Sequence, residues 1–130
     1  MKDYQNAPSF KRSPCPVANL LDIIGDKWTL LVIRDITLGK KTYGEFASSP
    51  EKIPTNILAD RLKKLEAEGI ISKQAYQQRP VRYEYLLTEK GQDLRLLMKS
   101  MITWSNKHIP GTYTEEQIAK FKEEISTKNS

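Results

Sequence analysis

In 130 residues the chain carries one cysteine, Cys15, and one histidine, His108. A single thiol excludes a disulfide within the chain. A lone imidazole with no cysteine–carboxylate cluster beside it excludes a multi-histidine metal site, so His108 is given no role and no metal is expected. No apolar run reaches the ~18 residues of a membrane span. The opening residues, MKDYQNAPSFKRSP, lack the apolar region of a signal peptide. The expectation is a cytoplasmic protein with a short flexible arm over 1–13. No glycine-rich phosphate loop and no hydrolase triad spacing occur, so neither a cofactor nor an enzyme is expected. Cys15 as an enzymic nucleophile would have no resolving cysteine, and its only possible histidine base lies far along the chain. Repeats, low-complexity blocks and long linkers are absent too. This length therefore reads as one domain, 1–130, able to bury roughly two-thirds of its unfolded surface. Acidic residues are outnumbered, 16 against 21 Lys plus Arg, for a net charge of +5. That balance suits an anionic partner without identifying one.

What is present is mostly helical periodicity. Pro16 suits a first helical turn, and Val17, Leu20, Leu21 and Ile24 follow at i, i+3, i+4, i+7 up to Gly25. The next run is apolar on most sides (Trp28, Leu31, Val32, Ile36) and reads as a central buried helix ending at Gly39. Thr42 and Glu45 have the spacing of a capping box, and Pro50 closes the short helix that they open. A longer helix is predicted over about 54–68. The period then changes to two. Val81, Tyr83, Tyr85 and Leu87 alternate with Arg82, Glu84 and Leu86, and this run should pair with IISKQAYQQ as a hairpin. Thr88 and Glu89 should start a long helix reaching about 107, and Thr114 with Gln117 a last one over about 113–127. The fold class is therefore mainly α with a small β-hairpin (α+β): a winged helix-turn-helix with N- and C-terminal dimerisation helices.

One stretch, IPTNILADRLKKLEAEGII, raises a question of its own. Leu58, Leu62 and Leu65 share a face that must be buried, while the other face carries Asn56, Asp60 and Lys63 around Ala59. Helix propensity does not account for Asn and Asp there. A helix laid in a DNA major groove needs this division, with one face on its own domain and short polar groups toward base edges. Asn56 can pair with adenine, Asp60 can accept from cytosine N4, and Ala59 can meet a thymine methyl. Thr55 sits where a hydroxyl and free backbone N–H groups can hold a phosphate. Lys63, Lys64, Lys41 and Thr42, with Lys40 beside them, are phosphate candidates. Arg79 and Arg82 flank the hairpin turn, where an arginine can enter the minor groove. An ordinary solvated helix face is the plain alternative.

The segments CPVANLLDIIGDKWTLLVIRDITLG, TYGEF, IPTNILADRLKKLEAEGII and PVRYEYLLTEKG occur in the order seen in HxlR-type winged-helix transcriptional regulators. The chain resembles that family from 15 to about 108, departing at Pro54, where many members place a serine cap. The resemblance implies a homodimeric regulator of transcription, usually a repressor, bound to double-stranded DNA at an inverted repeat. It also implies that some members sense oxidants or electrophiles through a cysteine near the N-terminus. Independently of it, Cys15 precedes a helix start with Lys11 and Arg12 nearby, conditions that favour a reactive thiolate. An inert buried residue is the alternative. Leu97, Met101, Trp104, Ile118, Phe121 and Ile125 supply more apolar surface than one small domain needs and are candidates for a dimer interface. A winged helix that binds protein instead of DNA remains the competing function.

Overall fold

A computed structural model describes residues 10–128, so most of the expected arm over 1–13 lies outside the described residues. The elements are α1 (Pro16–Ile24), α2 (Thr29–Thr37), α3 (Tyr43–Ala47), α4 (Thr55–Ala67), β1 (Ile71–Gln78), β2 (Val81–Leu87), α5 (Glu89–Gln92), α6 (Leu94–His108) and α7 (Glu115–Lys128). This is the expected mainly α architecture with a hairpin wing. Among the described residues no helix is long and apolar enough to cross a membrane.

The core is formed by Ile24, Val32, Ile33, Phe46, Ile53, Leu58, Leu62, Leu65, Ile70 and Ile71. It draws on α1, α2, α3, α4 and the base of the hairpin. The stripe Leu58, Leu62 and Leu65 is buried as its periodicity requires. In α2 the apolar side chain sealed most completely is Ile33, and the polar residues Thr29 and Asp35 are buried beside it. Trp28, Leu31 and Ile36 are only half-buried.

Both expected capping boxes form. The Thr42 hydroxyl accepts from the Glu45 N–H while the Glu45 carboxylate accepts from the Thr42 N–H. Thr114 and Gln117 do the same at the start of α7. The turn between α3 and α4 passes through Lys52 at φ +55°, a conformation that costs a non-glycine residue about 1 kcal/mol.

β1 and β2 pair antiparallel from Ile71↔Leu87 to Gln78↔Val81, with a bulge that leaves Tyr76 unpaired. Arg79 and Pro80, joined by a cis peptide bond, make the turn. Only the hairpin base is packed; Tyr76, Val81 and Tyr83 are exposed toward its tip. Eight residues at ~3.3 Å each carry that tip roughly 25 Å beyond the core.

One expectation is corrected. The long helix from Thr88 is interrupted at Asp93, giving the four-residue α5 and then α6. The short α5 is tightly seated: Gly91 is buried so close to the chain at Ile70 that a Cβ there would lie 2.2 Å from the Ile70 carbonyl oxygen. On α1 the core covers the side of Ile24, while Val17 and Leu21 are 66% and 52% exposed.

The end of α4 is finished by residues from beyond the hairpin. The Thr88 hydroxyl donates to the Gly69 and Ile70 carbonyls, at 2.5 and 3.1 Å, and Lys90 Nζ donates to the Glu68 carbonyl at 2.6 Å. The Thr88 N–H adds a further bond to the Ile70 carbonyl at 3.0 Å. The carbonyls at and just beyond the C-cap of α4 are thus satisfied by residues that follow β2.

Candidate nucleic-acid interface

With Leu58, Leu62 and Leu65 anchored in the core, the opposite face of α4 is fixed outward. Thr55, Asn56, Ala59, Asp60, Lys63 and Lys64 are all exposed. Pro54, at the N-cap, supplies no side-chain hydrogen bond. The first helical bond of α4 runs from the Leu58 N–H to the Pro54 carbonyl. The N–H groups of the first turn are therefore not used within the helix, the arrangement that receives a phosphate oxygen. Tyr43 of α3 donates its hydroxyl to the Thr55 carbonyl at 2.9 Å and ties the two helices together where α4 begins. No local pattern announces this contact, whose partners are twelve residues apart.

The phosphate candidates before α3 divide. Lys41 is exposed, and its carbonyl accepts from the Tyr85 N–H of β2 at 2.7 Å, fixing the loop against the wing. Thr42 spends its hydroxyl and its N–H on the capping box, so what it can offer a phosphate is small. Lys40 turns inward, donating to Ser49 Oγ at 2.7 Å, and leaves the candidate set. At the other end of the molecule, Arg79 and Arg82 are both exposed at the hairpin turn.

Asp60 is not a free carboxylate. Its Oδ2 accepts from Arg61 Nη1 and lies 3.4 Å from Lys64 Nζ. Arg61 also donates Nε to Asp26 Oδ2 at 2.9 Å, joining α4 to the loop between α1 and α2. Asp26 accepts the Trp28 and Thr29 N–H groups at 3.1 Å each, and the Thr29 hydroxyl. Burial alone would raise the Asp26 carboxyl. The hydrogen bonds from Thr29, Arg61 and the two backbone N–H groups outweigh it and hold the pKa well below the usual carboxylate range. Glu51 is lowered as well, chiefly by its hydrogen bond from Arg34.

The sign of the resulting pH dependence follows from those directions. A carboxyl whose folded pKa is depressed contributes stability above its unfolded pKa, about 4, and that stability is lost as pH falls through the folded value. The unfolding midpoint in urea should therefore decline between about pH 5 and pH 2, and Asp26→Asn should flatten the decline. An unchanged pH slope in that variant would remove Asp26 from the account.

Cys15 is exposed at the N-cap of α1, with its carbonyl accepting from the Asn19 N–H at 3.0 Å and from Asn19 Nδ2 at 2.8 Å. The expected help from Arg12 is diverted, since its guanidinium pairs with Asp22 at 2.9 Å.

Val17 and Leu21 of α1, Leu97 and Met101 of α6, and Phe121 and Ile125 of α7 line an open, largely apolar groove of about 1150 Å³. Ile118 also lines it, whereas Trp104 does not. Trp104 is 59% exposed and stacks on His108 with ring centroids 4.8 Å apart. The dimer candidates thus divide between the groove and a separate outer surface of α6. No group of residues that could hold a metal ion occurs among the described residues.

Residues 23–113 match the family model described as HxlR-like helix-turn-helix. The chain is 38% identical over 94 residues to YdeP, an uncharacterised HTH-type transcriptional regulator of Bacillus subtilis, with 72% of this chain and 73% of that one covered. Among solved structures, the reduced form of the redox regulator HypR superposes with a TM-score of 0.65 at 36% identity, covering 74% of this chain and 95% of that one. The reduced form of the transcriptional regulator YodB from B. subtilis superposes with a TM-score of 0.62 at 29% identity, covering 78% and 100%.

Proposed function

Because the chain belongs to the HxlR-like helix-turn-helix family and is a transcriptional regulator of the helix-turn-helix type, we propose that it works as a homodimeric repressor. In this reading it binds double-stranded DNA at an inverted repeat, with the whole chain, 1–130, acting as one domain. The observation that carries this is the division of α4: one face is anchored by Leu58, Leu62 and Leu65. The other presents Thr55, Asn56, Ala59, Asp60, Lys63 and Lys64 to solvent behind an uncapped first turn. In the major groove Asn56 and Asp60 read base edges, Thr55 and the free N–H groups hold a phosphate, and Lys63, Lys64 and Lys41 hold others. Arg79 and Arg82 extend to the flanking minor groove. A second copy covers the apolar groove of α1, α6 and α7, setting two recognition helices at the spacing a two-fold operator requires.

A redox response through Cys15 is a second element of the proposal. It is supported by the exposure of the thiol and by the similarity to HypR, a redox regulator, and to YodB, which has a structure in a reduced form. With one cysteine per chain, any disulfide it formed would be to another molecule.

The test is selection of binding sites from random duplex DNA, followed by affinity as a function of salt. The expected result is an inverted repeat with half-sites about one helical turn apart and affinity falling steeply as salt rises. Asn56→Ala should weaken binding by about tenfold or more and relax the preference at one base pair in each half-site. Lys63→Ala should instead weaken all sequences alike and reduce the salt slope by about one. Weak binding with no enriched sequence would favour a protein-binding winged helix. Adding an oxidant to wild type and to Cys15→Ser tests the redox element separately.

A further inference from the structure

Asp26 belongs to the loop between α1 and α2, and the reading above gives it no part in contacting DNA. We propose that it is a positioning residue for recognition, setting which base α4 accepts by holding Arg61 against Asp60; the inference rests on the DNA-binding reading of α4.

Arg61 donates Nε to Asp26 and Nη1 to Asp60. Those nitrogens belong to different edges of the planar guanidinium, so one cation holds two carboxylates at once, in a way no lysine could reproduce. The Asp26 end is immobile. Its oxygens also accept the Trp28 N–H, the Thr29 N–H and the Thr29 hydroxyl, which fasten it to the first turn of α2. The Asp60 end is the one on the recognition face. Its side chain is 47% exposed, while that of Arg61 is 21% exposed.

Both cations beside Asp60 sit on Oδ2, leaving Oδ1 without a hydrogen bond among the described residues. The carboxylate is thereby neutralised enough to approach a phosphate-lined groove and is turned so that one oxygen remains to accept a hydrogen bond. An amino group such as cytosine N4 supplies that donor. Without Asp26, the guanidinium loses the anchor that fixes its plane, and the orientation of Oδ1 goes with it. Arg61 is then released toward phosphate.

Asp26→Asn tests this selectively. The amide oxygen at the Oδ2 position can still accept from the Trp28 and Thr29 N–H groups and so cap α2, but the bond from Arg61 Nε, which shares that oxygen, loses its ionic partner and becomes the weaker kind that a neutral acceptor makes. Site selection and salt titration would be run on wild type, Asp26→Asn, Asp60→Asn, the double variant and Arg61→Lys. Wild type and Asp60→Asn identify the base pair that Asp60 reads. At that base pair Asp26→Asn should lose at least about threefold of the discrimination. The double variant should lose no more than Asp60→Asn alone, since the two act as one unit. Its salt slope should steepen by about one as Arg61 gains a phosphate. Arg61→Lys should resemble Asp26→Asn.

If Asp26→Asn lowers thermal stability, or affinity for all sequences equally, with base preference and salt slope unchanged, Asp26 is a structural cap and the proposal fails. If wild type itself enriches no sequence, the DNA-binding reading falls and the proposal falls with it. Those two failures are separated by the wild-type result alone.

Discussion

Phe46→Ala should lower the free energy of unfolding by about 3–5 kcal/mol, the range for emptying a buried aromatic site. Phe46 is 1% exposed and is the largest of the completely buried side chains. Its ring lies 6.0 Å from that of Tyr85, on β2. It is also the one buried residue of α3, a helix of five residues too short to be stable alone, and supplies its main apolar anchor beside the capping box and the Tyr43 hydrogen bond. The loss would be at least about a fifth of the stability of an ordinary small domain, and most of it in a marginal one. Urea unfolding followed by tryptophan fluorescence measures it directly. A loss under 1 kcal/mol would mean that neighbouring side chains collapse into the space. DNA binding should fail in the same variant at temperatures where the rest of the fold survives, because the α3–α4 turn is set by this packing.

The second large effect is expected at Asp35, which is 3% exposed. Oδ1 accepts from Arg34 Nε at 3.1 Å and Nη2 at 2.8 Å, and Oδ2 accepts from the Ser49 hydroxyl. Arg34 in turn donates two bonds of 2.8 Å to Glu51. The network fastens α2 to Ser49 and Glu51, in the short segment that leaves α3 for α4. Asp35→Ala removes the acceptor of the Ser49 hydroxyl proton, although Lys40 still donates to its oxygen, and takes from Arg34 the bonds that its Nε and Nη2 make to Asp35. The expected loss is about 2–4 kcal/mol, below the full cost of breaking a buried pair because Arg34 keeps Glu51. Asp35→Asn, which keeps an acceptor for Ser49, should lose about half as much. Equal losses in the two variants would show that charge, and not hydrogen bonding, carries the effect. A loss under 0.5 kcal/mol in Asp35→Ala would contradict the argument altogether.

The contrast between Phe46 and Asp35 shows what could be read from residues in order. The capping boxes at Thr42 and Thr114, the stripe on α4 and the pairing of the two strands as a hairpin depend on partners a few residues apart or on a simple period, and each forms as expected. Asp35 reads in sequence as one polar residue on an apolar helix, and its partner Ser49 is fourteen residues away. Arg61 finds Asp26 across thirty-five residues, and Lys40 finds Ser49 across nine. Local spacing carries no information on such pairs, so Lys40 was grouped with the phosphate candidates. Val17 and Leu21 illustrate the converse: periodicity says that a helix face is apolar but not what covers it. The exposed face of α4 is legible because its composition conflicts with helix propensity, even though Asp60 finds cationic partners in Arg61 and Lys64 on the same helix.

The bonds from Thr88 and Lys90 to the carbonyls of Glu68, Gly69 and Ile70, in the turn that follows α4, tie the base of the wing to the end of the recognition helix like the joint of a caliper. On the proposed reading, the number of base pairs between the major-groove bases and the minor-groove step within a half-site is then a property of the protein and not of the operator. Inserting one base pair between them would carry one reading point about 3.4 Å along the duplex axis and about 35° around it. A caliper that cannot open would meet only one of its two marks.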